Sequence, residues 1–263
     1  MSRRRSRTRE RSSGSREQPR RSALSHPRKP PPGLARYAIV GVVAGLLVAL
    51  FWATRQDWDQ MHAQNRAFAE ASFVLAVATL SIGPLARLWP AAAPLIVWRR
   101  EVGNWTMFTA LGHVWVVLSG WVQWDLTRLF FSFNLFKRDW ALDQGFALGN
   151  LLGLAALAYG FVLLATSNDA SVRLLGSSGW KFLQQSVYVL YWLIVMHTAY
   201  FLFFHFVTFH RPAPPPNWFR LPFLTLTTLL LALQAAAFLA TVRRRKSPQA
   251  PAVTELLTTM LTS

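Results

Sequence analysis

The chain has 263 residues, is 52% hydrophobic, contains 12 tryptophans and no cysteine, and carries a formal net charge of +17. The absence of cysteine excludes disulfides, thiolate metal sites and cysteine-ligated iron–sulfur clusters. Several apolar runs of about 18 to 25 residues exclude an ordinary soluble domain, because a helix of that length spans a bilayer. The positive charge lies mostly outside those runs, so we attribute it to membrane topology and expect no nucleic-acid partner.

Residues 1–36 are rich in arginine, serine and proline and contain few apolar side chains. Such a segment cannot bury enough surface to fold, and we expect a disordered basic tail in the cytoplasm. Clustered arginines of this kind can also adhere to anionic lipid. A twin-arginine export signal is an alternative, but the apolar run that follows lacks a small-residue cleavage site, which favours a retained first span.

Six apolar segments follow the tail and predict an all-α integral membrane bundle, because helices satisfy their backbone hydrogen bonds internally. We expect one transmembrane domain over residues 37–242 and a short cytoplasmic tail over 243–263. The predicted spans are 37–53, 71–88, 102–123, 146–166, 181–206 and 221–242.

The orientation of the bundle follows from lysine and arginine in the short connections. These residues concentrate in the amino-terminal tail, between spans two and three, between spans four and five, and after span six. All four segments lie on one side of a six-span topology, so we predict a bacterial inner-membrane protein with both termini cytoplasmic. The outer connections are mixed in charge; the first is predicted to hold Asp57, Asp59 and Glu70, and the second contains an apolar, aromatic stretch over 126–136 that should lie along the membrane interface.

Two histidines lie well inside predicted apolar helices, His113 in the third span and His197 in the fifth. An ionisable side chain at that depth needs a partner. At 1.5 Å per residue, His113 lies about 21 Å along its helix from Arg99, and His197 lies about 25 Å along its helix from Trp180. The two histidines therefore lie at similar heights in the bundle. Two facing imidazoles inside a helix bundle are suited to holding a haem iron with both axial positions filled, an arrangement for one-electron transfer.

Other roles for these histidines stay open on the residues alone. Each could be hydrogen bonded to Ser or Thr on a neighbouring helix without any cofactor. A proton relay or a metal transporter would use further carboxylates or sulfur ligands, and the predicted spans hold essentially none. The other four histidines, His26, His62, His205 and His210, fall in the tail, in an outer connection or near the outer end of span five, and we expect them to be incidental or interfacial.

An ordered set of short motifs lies between about residue 37 and residue 242: Arg99-Arg100-x-x-Gly103-x-Trp105 ending in His113, Leu164-Ala165-Thr166-Ser167, Arg173-Leu174-Leu175-Gly176, Trp180-Lys181 and Tyr188, with His197 in the following span. This set resembles the ferric reductase-like transmembrane domain family. Within that family the chain resembles the haem-binding membrane subunit of the bacterial periplasmic methionine-sulfoxide reductase system.

The resemblance implies a b-type haem between spans three and five, with His113 and His197 as the axial ligands of the iron, and electron transfer towards the outer side. The family's inner haem site does not match, because Gln184 stands where its proximal histidine lies and Arg99 stands at the other inner ligand position. We therefore expect one haem near the outer half, or a substantially altered inner site. Binding of FMN or quinone is possible, but no motif supports it.

The function expected from this resemblance is that of an oxidoreductase subunit that transfers electrons without catalytic residues of its own. We expect it to lack a flavin or nicotinamide domain, so that electrons arrive from a separate flavin reductase or a quinol and leave to an extracytoplasmic reductase or another acceptor. The alternatives are a haem-free membrane scaffold of the same family and a small transporter.

Overall fold

The computed structural model describes residues 33–134, 138–205 and 217–246. Most of the predicted basic tail, and most of the predicted carboxyl-terminal tail, therefore lie outside the described residues. Helices make up most of what is described, and the all-α prediction is confirmed, with one two-stranded hairpin added. The helices are α1 Gly33–Ala53, α2 Gln60–Leu88, α3 Arg99–Val116, α4 Gln144–Ala165, α5 Asp169–Gln185, α6 Val187–Ala199 and α7 Arg220–Lys246.

Shorter elements extend or connect these helices. A 3₁₀ helix, Pro90–Trp98, joins α2 to α3. Single π-helical turns, Val117–Trp121 and Tyr200–His205, lengthen α3 and α6. The hairpin consists of antiparallel strands β1, Phe131–Asn134, and β2, Asp139–Leu142, and leads directly into α4.

In the described part of the chain, five segments are long and apolar enough to cross a membrane: Gly33–Ala53, Gln60–Leu88, Gln144–Ala165, Asp169–His205 and Arg220–Arg245. The predicted third span is also helical, as α3, but it is not among the five. Its first turn carries Arg99, Arg100 and Glu101, which lower its hydropathy. A membrane protein is therefore supported, while the predicted third span is present as a helix of more polar composition.

Helix α2 begins eleven residues before the predicted boundary of the second span. Asp59 caps its first turn by accepting hydrogen bonds from the backbone N–H groups of Met61 and His62. The side-chain hydrogen bond from His62 is the main cause that lowers the pKa of Asp59. The prediction that placed Glu70 in an outer connection is wrong, because Glu70 lies on α2 and is buried.

The predicted fifth span also has a different beginning in the structure. Residues Asp169–His205 form one long helical segment that is interrupted at Gly176, where φ is 70° and ψ is 160°. Glycine adopts that conformation without steric penalty, and it lets the chain turn between the two parts of α5. Span five is consequently formed by the last part of α5, by α6 and by the π-helical turn after it.

Helix α2 is the centre of the bundle, because 61% of its most apolar stretch is buried inside the protein. The corresponding share is 17% to 22% for the other four candidate spans. It lies antiparallel to α3, where Ser72 donates to the carbonyl oxygen of Thr106 at 2.9 Å and Phe68 packs against Gly112. Burial of apolar side chains from α1, α2, α6 and α7 forms the core, which consists of Phe51, Ala67, Ala71, Phe73, Val77, Leu80, Tyr191, Val195, Leu202, Phe219, Phe223 and Leu230.

Candidate functional site

The structure brings His113 and His197 together inside the bundle. His113 lies near the end of α3 and His197 near the end of α6, and their ring centres are 6.3 Å apart with the ring planes at 80°. Both side chains are partly buried, and both lie towards the end of the bundle at which α2 and α4 begin. We call this the hairpin end, because strands β1 and β2 lie there, immediately before α4.

Each imidazole is held by a backbone carbonyl on a neighbouring helix. Nδ1 of His113 lies 3.2 Å from the carbonyl oxygen of Asn65 on α2, and Nδ1 of His197 lies 2.8 Å from that of Gly149 on α4. A carbonyl oxygen only accepts, so each Nδ1 carries the proton. This leaves a lone pair on each Nε2, which is the tautomer that a metal-binding histidine adopts when its other nitrogen is oriented by a carbonyl.

The separation of the two rings fits one metal ion bound between them. A histidine nitrogen binds a first-row metal at about 2.0 Å and lies about 1.1 Å from its ring centre, so two rings on opposite sides of one ion have centres about 6.2 Å apart. The observed 6.3 Å agrees with that value. Over the ranges that the structure describes, no group of three or more His, Cys, Asp or Glu side chains gathers to form a larger metal site.

Glycine creates the space that His197 occupies on the α4 side. A Cβ atom added at Gly153 would lie 2.8 Å from Cε1 and 3.0 Å from Nδ1 of that ring. Both distances are shorter than an ordinary contact, so no larger residue fits while the ring keeps its position. Gly153 therefore fixes how closely α4 approaches α6 at the level of the histidine pair.

Sequence reasoning missed Arg66 on α2, next to the residue whose carbonyl holds His113. Its charge acts on both His113 and His197, and also on Glu70 one helical turn away. The sequence pattern predicts a connection before residue 71, so it does not place Arg66 near the histidine pair. The i, i+4 spacing of Arg66 and Glu70, typical of a helix surface pair, is the signal that could have identified it.

Glu70, one helical turn after Arg66 on α2, belongs to a buried polar cluster. Its two carboxylate oxygens accept hydrogen bonds from Nη2 of Arg55 at 2.5 and 2.7 Å, and the same nitrogen donates to Oδ1 of Asn217 at 3.1 Å. The cluster joins the end of α1, helix α2 and the segment leading into α7. A second buried carboxylate, Glu101, pairs with Arg36 at 2.8 Å. Glu70 lies within the segment Gln60–Leu88 that is long and apolar enough to cross a membrane, so this segment holds one carboxylate, paired with arginine. Glu101 lies one residue before the predicted third span and is also paired with arginine.

The remaining histidines in the described ranges are His62 and His205. His62 is half-exposed, contacts Asp59 at 3.0 Å and packs edge-on against Trp121. His205 is buried rather than interfacial, and its Nδ1 donates to the carbonyl oxygen of Gly145 at 2.7 Å. His26 and His210 lie outside the described residues. His62 and His205 thus each have a polar partner in the structure.

The opposite end of the bundle holds Gln184 and no histidine among the residues described. Nε2 of Gln184 donates to Oγ1 of Thr166 at 3.1 Å, and Trp180 donates to the carbonyl oxygen of Thr166 at 2.8 Å. Arg100, one residue after Arg99, pairs with Asp169 at 2.8 Å. These residues tie α5 to α4 and α3 through hydrogen bonds and one exposed ion pair, so their contacts have a structural explanation.

Comparison with known proteins leaves the family open. No protein-family model matches the chain. Two relatives are each 26% identical over 133 residues, which is 51% of this chain: the magnetosome protein MamZ of Magnetospirillum gryphiswaldense and that of Paramagnetospirillum magneticum. The matched region covers 19% of the length of each relative, so most of either relative has no counterpart in the comparison.

Proposed function

We propose that the chain is a b-type haem subunit that carries electrons across a bacterial membrane, with His113 and His197 as the axial ligands. The observation that carries this proposal is the ring separation of 6.3 Å, together with Nδ1 hydrogen bonds that leave a lone pair on each Nε2. A haem held by two histidines takes up and releases one electron at a time and has no open iron position for oxygen.

The residues around the pair have separate tasks in this proposal. The carbonyl oxygens of Asn65 and Gly149 fix the tautomer and raise the basicity of each imidazole. Arg66 adds a positive charge at the level of both rings. That charge opposes a bare metal cation but favours a porphyrin, because a porphyrin brings carboxylates that a guanidinium can bind. The same reasoning makes a small metal-ion transporter the weaker explanation of the pair.

One haem per chain is the stoichiometry that we propose. At the opposite end Gln184 stands in the position of the family's inner ligand, and its amide is engaged by Thr166. A single carrier near the hairpin end is far from the other membrane surface, since the hydrocarbon core is about 30 Å thick. The electron donor must therefore approach within the membrane, as a quinol does, or a separate flavin protein must reach the bundle from the basic end.

We place six spans in the membrane by adding α3 to the five apolar segments. Helix α3 and its π-helical turn cover Arg99–Trp121, which at 1.5 Å per residue is about 34 Å and long enough to cross. The charged residues at its start lie at the end opposite the hairpin, with Lys181 and the basic end of α7. This charge distribution supports an orientation in which the basic end is cytoplasmic and the hairpin end is extracytoplasmic. In that orientation the electron acceptor, such as a partner reductase, lies on the hairpin side.

The decisive experiment is a visible spectrum of the full chain purified in detergent from haem-replete cells. We expect a sharp b-type α-band after dithionite reduction and one haem per chain by the pyridine haemochrome assay. The band should be lost in His113→Ala and in His197→Ala, and kept in the control His62→Ala, because His62 lies outside the pair.

A colourless wild-type protein of normal thermal stability would remove the electron-transfer proposal and leave the haem-free scaffold. A coloured protein whose band survives both histidine substitutions would show that the cofactor is held elsewhere. Uptake of metal ions or protons by haem-free proteoliposomes would instead favour the transporter.

A further inference from the structure

The hairpin at the end of the bundle has one apolar face. Register pairs Phe131 with Leu142 and Phe133 with Trp140, and residues two apart on a strand point to the same side. These four side chains therefore share one face, where Phe133 and Trp140 pack edge-on with ring centres 5.6 Å apart. Each of the four is 43% to 55% exposed, so nothing in the described chain covers this face. Ser132 pairs with Ala141 on the other side.

The hairpin is fastened to the beginning of α4. The side chain of Asn150 on α4 donates to the carbonyl oxygen of Leu129 at 2.6 Å, just before β1. The backbone N–H of Asp143, just after β2, donates to the carbonyl oxygen of Phe130 at 2.8 Å. Asn150 follows Gly149, whose carbonyl holds His197, so the base of the hairpin starts at the depth of the histidine pair rather than beyond the end of the helix.

The adjoining end of α3 is also aromatic and exposed. Trp115 on α3 and Trp124 after it pack against each other with ring centres 5.3 Å apart, and both are more than half exposed. Tryptophan concentrates at the depth where acyl chains meet headgroups, because its ring is apolar and its N–H is polar. The hairpin's exposed aromatic residues thus continue a set of side chains suited to the membrane boundary.

We propose that the apolar face of the hairpin, formed by Phe131, Phe133, Trp140 and Leu142, lies in the lipid interface at the hairpin end of the bundle. Attachment at Asn150 keeps the hairpin at the depth of the lipid interface. An uncovered aromatic face at that depth contacts lipid rather than a soluble partner. The opposite face, with Ser132, remains in water. The hairpin then acts as an interfacial anchor, and exposed Arg138 at the start of the return strand is placed to contact headgroup phosphates. The proposal does not depend on a cofactor.

The test uses the absence of native cysteine, which makes any single-cysteine variant of the full chain uniquely labelled. Phe133→Cys and its neighbour Ser132→Cys form a matched pair on opposite faces of one strand. Each is labelled with an environment-sensitive NBD dye and reconstituted into vesicles of phosphatidylcholine and phosphatidylglycerol. Quenching is then measured with aqueous iodide and with lipids that carry a doxyl group near the headgroup.

We expect doxyl lipid to quench the label at Phe133→Cys strongly. Iodide should quench the label at Ser132→Cys about three-fold more than the label at Phe133→Cys, because successive strand residues face opposite sides. Trp140→Cys and Ala141→Cys repeat the comparison on β2 if Phe133→Cys fails to fold. Equal iodide access at both positions would overturn the proposal by placing the hairpin in water. Protection of Phe133→Cys from both quenchers would overturn it as well, since a protein surface would then cover the face.

Discussion

Replacing Gly153 with alanine tests whether α4 positions His197 as the structure indicates. The new Cβ would lie 2.8 Å from Cε1 of the ring, and ordinary contact starts at 3.4 Å, so the ring or the helix has to retreat by about 0.6 Å. A functional metal–ligand distance tolerates a deviation of about 0.2 Å. The same movement stretches the hydrogen bond between Nδ1 of His197 and the carbonyl oxygen of Gly149, which is 2.8 Å long.

The expected effect of Gly153→Ala on haem affinity follows from overpacking. Adding a methyl group to a closely packed site costs about 1 to 3 kcal/mol. At 1.4 kcal/mol for each tenfold change, haem affinity should fall by roughly 5- to 150-fold. The measurement is haem content per chain together with a haem titration of the purified protein. Gly45→Ala on α1 is the matched control, because its new Cβ meets nothing within 4 Å. Wild-type haem affinity in Gly153→Ala would refute the placement of His197 against α4.

Three further predictions concern residues near the pair and at the opposite end. Arg66→Gln should lower the haem midpoint potential, on the order of tens of millivolts, because it removes a positive charge that acts on both rings and disfavours the oxidised haem; an unchanged redox titration would contradict this. Glu70→Gln should lower the free energy of unfolding by about 3 to 5 kcal/mol, because it leaves the buried charge of Arg55 uncompensated. A melting curve equal to that of the wild type would contradict this prediction. Gln184→His should leave the pyridine haemochrome stoichiometry at its wild-type value, because the resemblance to the ferric reductase-like family places Arg99, rather than a second histidine, opposite position 184; a second haem would show that one substitution creates an inner site.

Residence in a membrane could be read from the sequence, because it depends on the summed hydropathy of consecutive residues. The same local property put His113 and His197 within two predicted spans, and their similar heights followed from a fixed rise per residue. The structure places these two rings beside each other. Their role as haem ligands remains a prediction, as do the number of spans and the orientation.

Boundaries and charged partners were less accessible to sequence reasoning. Residues 60–70 look like a polar connection, because Arg66 and Glu70 interrupt the apolar pattern. They are helical because α2 is the central helix of the bundle, where Glu70 meets the guanidinium of Arg55 and the helix cap at Asp59 starts the first turn. Hydropathy alone cannot show such compensation, since a buried ion pair and a solvated loop contain the same residue types.

By itself the sequence determined that the chain is a helical membrane protein and that His113 and His197 lie inside it, since both follow from neighbouring residues along one helix. Only the tertiary structure decided which groups surround the pair. Forty-eight residues of chain separate each histidine from the carbonyl oxygen that holds it, and 162 separate Arg55 from Asn217. Contacts over such separations depend on how helices cross and how closely glycine lets them approach, and these are properties of packing between helices rather than of local composition.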